Sequence, residues 1–284
     1  MKTKLLALYG LKYNPFTPDV PIDAIHAYAG LENFCWRIEN NFIREGGFAL
    51  VSGDPGTGKS VALRLLADKL SHIRDVQVGA LTHSSARLSD FYRELGDIFG
   101  VQLSAHNRWS SFKNLRERWK THMESTLLRS VLFIDEAQEM PPAVLNELRL
   151  LTSAKFDSRV LLSIILAGDK RLNDKLGRDE LIPLGSRIRM RFNTEYASTA
   201  QLMQSLIHLL EGAGNPSLMT KELMQTLCDN SIGNYRVLCT MANELLTTAA
   251  QQEKTQLDEK LYLECFAVKP STRSQKNVAG GARG

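Results

Sequence analysis

Four side chains in this sequence have types and spacing that point to one chemistry: Lys59, Ser60, Asp135 and Glu136. Lys59 and Ser60 close the stretch Gly53-Asp54-Pro55-Gly56-Thr57-Gly58-Lys59-Ser60, which fits Gly-x-x-x-x-Gly-Lys-Ser in full. Glycines let a backbone curl so that successive N–H groups point inward at a phosphate. A helix opening there, beginning at Val61, adds its positive end. In such a loop the lysine reaches the β- and γ-phosphates and the hydroxyl is offered to Mg²⁺. Asp135 and Glu136 end the apolar run Val131-Leu132-Phe133-Ile134. At that place Asp135 would hold Mg²⁺ through water and Glu136 would polarise an attacking water. The chemistry these four point to is Mg²⁺-assisted hydrolysis of a phosphate chain.

The elements that must position them follow from periodicity. Phe48-Ala49-Leu50-Val51 reads as a buried strand leading into the glycine-rich loop, and Val61 to Leu66 as the helix after it. Apolar positions from Ala29 to Arg44 recur at helical spacing before that strand. Further strands are expected at Val76 to Leu81, at Val131 to Ile134, at Val160 to Ala167 and, as an edge strand, at Arg189 to Glu195. Helices are expected at Leu88 to Phe99, His106 to Arg129 and Pro142 to Ser153. Strands whose carboxyl ends meet a ligand are the pattern of an open α/β sheet. From Ser198 to Phe266 only helices are expected, at Ala200 to Glu211, Thr220 to Asn230, Asn234 to Gln252 and Asp258 to Phe266, with Thr220 and Asp258 as N-caps.

The expected organisation is therefore an irregular N-terminal arm over 1–30, a nucleotide-binding α/β domain over 31–197, a helical domain over 198–266 and a disordered basic tail over 267–284. Prolines at 15, 18 and 21 and the lack of a period argue against a helix in the arm. Its aromatic residues either pack on a nucleotide base or cover the core.

With 284 residues, 43% of them hydrophobic, a substantial core is expected. The longest apolar runs are too short to cross a bilayer, and the opening Met1 to Tyr9 lacks the apolar length and cleavage site of a signal peptide. Four scattered cysteines give neither a disulfide framework nor a zinc site. A cytoplasmic protein without membrane attachment is expected. The net charge of +4 leans toward a polyanionic partner. Arg108, Trp109, Lys113, Arg116, Arg118, Trp119 and Lys120 concentrate that charge on one helix. Two readings of it stand, a solvated cationic face over a buried aromatic stripe, or a nucleic-acid contact through Lys113, Arg116 and Lys120. Asp169, after the fourth strand, is either a polar sensor of the γ-phosphate or a turn residue. Arg187, Arg189 and Arg191 alternate with Ile188 and Met190; one of them faces a neighbouring subunit's γ-phosphate, or all three lie on a wet strand face.

Several stretches occur in an order that resembles one group of proteins. They are Tyr9-Gly10-Leu11 with Asn14-Pro15-Phe16, the phosphate loop, Leu132 to Gln138, Leu166-Ala167-Gly168, Ser186-Arg187-Ile188 and Gly233-Asn234-Tyr235-Arg236. Together, over residues 5 to 266, they resemble the AAA+ ATPases of the ExeA/TniB/TnsC type, a group that includes transposition regulators and a general-secretion ATPase. The resemblance implies a P-loop fold with a five-stranded parallel sheet between helices and a helical lid behind it. It implies that Lys59 and Ser60 are the Walker A lysine and metal hydroxyl, and Asp135 and Glu136 the Walker B pair, with ATP and Mg²⁺ as the cofactors. Arg187 falls at the trans-acting arginine finger and Arg236 at the second sensor. Where relatives often have a proline before that arginine, this chain has Tyr235. The implied activity is ATP-dependent assembly on double-stranded DNA as a homo-oligomer or filament, with recruitment of a transposase and of a target-selection protein. The alternative it implies is an ATPase of a secretion-pathway assembly; such proteins are expected to carry a membrane span and an envelope-binding domain, which this sequence does not show.

Overall fold

A computed structural model describes residues 2–103, 107–156 and 158–266. The expected tail over 267–284 and His106, the first residue of the helix expected there, lie outside the described residues. In chain order, α1 (Lys2–Tyr9) and α2 (Ala29–Arg37) come first. A π turn (Ile38–Phe42) and α3 (Ile43–Glu45) carry α2 on toward β1 (Gly47–Gly53). Then follow α4 (Lys59–Ser71), β2 (Val78–Leu81), α5 (Leu88–Phe99), α6 (Arg108–Thr126), β3 (Ser130–Ile134), a 3-10 turn (Ala137–Glu139) and α7 (Pro142–Thr152). A small hairpin, β4 (Ser153–Ala154) and β5 (Arg159–Val160), leads into β6 (Leu162–Gly168), α8 (Lys170–Leu176), α9 (Ile182–Gly185) and β7 (Ile188–Thr194). The chain continues through α10 (Thr199–Ala213), α11 (Lys221–Asn230), α12 (Tyr235–Gln251) and α13 (Glu259–Phe266).

Five strands form one parallel sheet in the order β2-β3-β6-β1-β7. The period-2 rule of strands sorts its side chains. Phe48, Leu50, Leu132, Ile134, Ile164 and Leu166 enter the core on one face, with α5, α6 and α7. Ala49, Val51, Val131, Phe133, Ile165 and Ala167 enter the other, under α2 and α4. Central strands covered on both faces are apolar throughout, which is why they read as continuous hydrophobic runs. On the edge strand β7, Met190 and Phe192 are half-buried while Arg189, Arg191 and Asn193 are exposed. Phe192 is held by stacking on Phe34, 4.9 Å between ring centres.

A third core joins α10 to α13 with the start of the chain: Tyr9, Leu11 and Phe16 are buried among Leu206, Leu210, Leu245 and Leu246. This corrects the reading of the arm as wholly irregular. Lys2–Tyr9 is helical because Leu5, Leu6 and Tyr9 find an apolar partner in the C-terminal helices, a tertiary gain that local propensity does not register. It also assigns the arm's Tyr9 and Phe16 to core covering. The N-caps read from sequence are present: Thr220 Oγ1 accepts from the Leu223 N–H at 3.2 Å and Asp258 Oδ1 from that of Leu261 at 2.8 Å.

The hairpin β4–β5 is a feature the sequence reading lacks; it takes Val160 out of the fourth strand, which begins at Leu162. Its turn uses Lys155 and Phe156 at φ +49° and +55°, without the glycine or asparagine that ordinarily marks such a turn. Between α5, α6 and α7, the buried Glu147 accepts from Tyr92 Oη and is paired with Arg108, whose Nε lies 2.9 Å from Oε1. These partners satisfy the buried carboxylate and fix the start of α6.

Candidate nucleotide site

The glycine-rich loop joins β1 to α4 at the carboxyl edge of the sheet, beside the ends of β3 and β6. Gly56 and Gly58 take φ +84° and +99°, values that only glycine adopts freely. Gly53 is required for a different reason: a Cβ there would stand 2.1 Å from Thr194 Oγ1. The N-cap of α4 is Gly58, which has no side chain to cap with, so the first N–H groups of this helix are the kind of donors that a phosphate takes. Lys59 is buried, with Nζ 3.0 and 3.1 Å from the carbonyl oxygens of Gly53 and Asp54. Thr57 is turned inward, its Oγ1 donating to the Asp54 carbonyl at 2.7 Å and lying 2.6 Å from Thr194 Oγ1. Asp54 pairs with Lys170 at the start of α8, 3.3 Å away, and Val61 is exposed on the first turn of α4.

Ser60 Oγ donates to Asp135 Oδ2 at 2.7 Å, bringing the loop and the end of β3 together. A hydroxyl and a carboxylate in contact are the hard oxygen donors Mg²⁺ takes, and among the described residues no group of three or more His, Cys, Asp or Glu could hold a metal alone. The pair therefore fits an ion that is otherwise held by water and substrate phosphates. The other Asp135 oxygen accepts the Glu136 N–H at 2.9 Å, and Glu136 is held in a left-handed turn at φ +51°. Its Oε2 accepts from Gln138 Nε2. Asp169 caps α8 through the Arg171 N–H at 2.9 Å and pairs with the Arg171 guanidinium, which holds its carboxyl below the usual range; Lys59 contributes a smaller pull in the same sense.

The C-terminal helices reach this loop directly. Asn234, the N-cap of α12, accepts from the N–H groups of Arg236 and Val237 through Oδ1 while its Nδ2 donates to the Pro55 carbonyl at 3.1 Å. The Tyr235 N–H donates to the Gly56 carbonyl at 3.1 Å. Arg236 is exposed on that first turn, next to the loop. Arg187 lies at the other end of the molecule's sheet. It precedes β7, whose Ile188 pairs with Phe48 and whose Thr194 pairs with Gly53. Six residues of strand span roughly 20 Å, so Arg187 stands far from its own loop. It also precedes the strand alternation that puts Arg189 and Arg191 on the wet face, and it donates to the Pro183 carbonyl.

The three residues of α6 diverge. Arg116 is turned into the fold, donating to the carbonyls of Leu150 at 2.8 Å, Leu151 at 3.2 Å and Ser153, with its guanidinium over the Phe112 ring. Lys120 pairs with Glu117 at 3.6 Å; Lys113 lies on the rim of a groove of about 440 Å³ between α6 and the β4–β5 hairpin. Among the described residues, Thr194 and Lys170 are partners that the sequence did not single out, and they meet the loop only through the fold. Gln138 and Asn234 stand in stretches that carry the resemblance, but without a role: Gln138 reaches Glu136 within one turn, and Asn234 reaches the loop across the fold.

The strand order, the loop after β1 and the acidic end of β3 settle the architecture. The fold is that of an AAA+ P-loop NTPase. The AAA domain family matches residues 43–176. General secretion pathway protein A of Aeromonas hydrophila is 29% identical over 208 residues, 72% of this chain; the chain spans 37% of that relative's length. Among solved AAA+ folds, the Aeropyrum pernix ORC2 protein, in ADPNP and ADP complexes, superposes with a TM-score of 0.71 at 12% identity, covering 88% of this chain and 70% of that one. The Aeropyrum pernix ORC1 protein in complex with DNA superposes at 0.62 with 15% identity, over 88% of this chain and 67% of that one. No helix among the described residues is long and apolar enough to cross a membrane.

Proposed function

We propose that this chain is an ATPase that regulates DNA transposition: it oligomerises on duplex DNA with ATP, recruits or activates a transposase, and disassembles on hydrolysis. The observation that carries the ATPase reading is the contact of Ser60 with Asp135 at 2.7 Å, beside Lys59 and Glu136. In this reading residues 31–197 are the nucleotide-binding domain, 198–266 the lid, and the compartment is the cytoplasm. The loop Gly53 to Val61 binds the phosphates through the backbone N–H groups of its residues other than Pro55 and through Lys59, while Arg236 reaches the nucleotide from the lid. Ser60 and, through water, Asp135 would hold Mg²⁺, which would supply charge neutralisation on the phosphates. Glu136 takes a proton from the attacking water.

Assembly is part of this reading through Arg187: about 20 Å from its own loop, it would act as a finger on a neighbour's nucleotide, on charge developing in the transition state. The DNA part is supported by the net positive lining of the α6 groove, where Lys113, Lys120, Lys155 and Arg159 outnumber Glu117 around apolar Trp109, Phe112 and Leu161, and by the DNA-bound AAA+ fold to which this one is similar. With Arg116 committed to the fold, Lys113 and Lys120 are the contacts we assign to phosphates. The partner protein, a transposase with or without a target selector, rests on the resemblance of motifs alone.

One observation favours a second reading, an ATPase of a secretion-pathway assembly: the 29% identity with a general secretion pathway protein. ATPase rate and sedimentation, with and without duplex DNA at low and high salt, separate the two. ATP- and DNA-dependent assembly that weakens steeply with salt supports transposition. Turnover and assembly indifferent to DNA under every nucleotide would sink it in favour of the second reading.

A further inference from the structure

Gln138 is buried in the 3-10 turn after β3, and both ends of its amide are used. Nε2 donates to Glu136 Oε2 and Oε1 accepts the Asp169 N–H at 3.3 Å. Its orientation is fixed by its partners, since a carboxylate only accepts and an N–H only donates. The turn itself is stapled from α8: Lys175 Nζ donates to the carbonyls of Gln138 at 2.6 Å and Met140 at 2.7 Å. Gly168 makes room for the bridge, because a Cβ there would stand 2.4 Å from Gln138 Oε1. The far end of the bridge, Asp169, caps the helix whose first residue, Lys170, pairs with Asp54 of the phosphate loop.

We propose that Gln138 is a positioning residue for hydrolysis: its amide holds one oxygen of Glu136 so that the other is free for the attacking water, and it ties that carboxylate to the backbone at the end of β6. A carboxylate on a left-handed turn has several rotamers open to it; a donor from a buried, doubly anchored amide selects one. The bridge also connects Glu136 to α8 and, through Lys170 and Asp54, to the phosphate loop. The inference rests on the reading of Glu136 as the group that activates water.

The test uses the full chain, with and without duplex DNA, and measures kcat, KM and the affinity for a fluorescent ATP analogue. Gln138→Leu removes both bonds. Gln138→Glu keeps the length and an acceptor for the Asp169 N–H but removes the donor to Glu136. Both variants are expected to lose roughly ten- to a hundred-fold in kcat, the scale of a misplaced reacting group, with nucleotide affinity held within about threefold. Unchanged kcat in both variants overturns the proposal, as does an affinity loss that matches the kcat loss. Failure of both to fold also overturns it, since Gln138 would then be scaffold. Turnover that is abolished by Glu136→Gln but untouched at Gln138 refutes the positioning role alone. A wild-type chain that does not hydrolyse ATP, or a Glu136→Gln variant that does so normally, removes the ATPase reading and this inference with it.

Discussion

The side chain of Asn234 and the backbone of Gly56 are fitted so closely that no Cβ could stand between them: one built on Gly56 would lie 2.1 Å from Asn234 Oδ1. The same asparagine caps α12 and bonds the Pro55 carbonyl, so the C-terminal helices rest on the phosphate loop itself. Asn234→Ala removes a helix cap, about 1 kcal/mol, and the bond to the loop. We expect a fall of a few degrees in Tm and a several-fold loss of ATP affinity, measured by thermal unfolding and nucleotide titration. Gly56→Ala meets both the clash and φ +84°, so its loss of affinity should exceed that of Asn234→Ala. An Asn234→Ala variant that binds ATP as well as the wild type would show that the loop does not depend on this contact.

Glu136 accepts no bond from the phosphate loop; its carboxylate meets Gln138, while the neighbouring Asp135 takes the Ser60 hydroxyl. Removing its charge should spare binding. Glu136→Gln is expected to bind ATP and assemble as the wild type does while turnover falls by about 10²-fold or more, the scale of a lost general base. Single-turnover assays with a sedimentation control check both halves, and normal hydrolysis would move the catalytic role elsewhere.

Arg187 and Glu136 should belong to complementary halves of one site. Arg187→Ala is expected to lower turnover in the assembly without weakening ATP binding by the monomer. Mixed with Glu136→Gln, it should regain activity, because a subunit with an intact Glu136 can face one with an intact Arg187. Random mixing makes roughly a quarter of head-to-tail interfaces complete. No recovery on mixing, together with unchanged turnover in Arg187→Ala, would transfer the role to Arg189 or Arg191, which lie exposed on β7.

The central strands were legible because burial on both faces leaves an unbroken apolar run, and Gly53 to Ser60 because the loop is contiguous in sequence. The partners of that loop were not. Thr194 and Asn234 are 137 and 179 residues from the loop residues they contact, and nothing in their local sequence distinguishes a hydroxyl or amide aimed at a loop from one aimed at water. Helix α1 was missed for a related reason: its stability comes from packing against helices that begin some two hundred residues later, so the prolines downstream dominated the local signal. On α6 the charges were visible but their directions were not, and the fold divides Arg116 from Lys113.

That division makes the last prediction. Arg116 donates to the carbonyls of Leu150 and Leu151 at the end of α7 and to that of Ser153 at the start of the hairpin; the last two bonds are partly buried, so Arg116→Ala removes their donor and should destabilise the protein by about 1–3 kcal/mol. Among the described residues, Lys113 and Lys120 donate to no backbone carbonyl, and Lys120 has an exposed pair with Glu117, worth little. Lys113→Ala and Lys120→Ala should therefore leave Tm within about a degree of the wild type. Each should weaken duplex binding and reduce the slope of log K against log salt by about 1, since each phosphate contact releases roughly one counterion. Titration of labelled duplex at several salt concentrations, alongside thermal unfolding, gives both readings. If the lysine variants bind DNA with the wild-type slope, the α6 groove is not the DNA surface, and the cationic face is a solvated one.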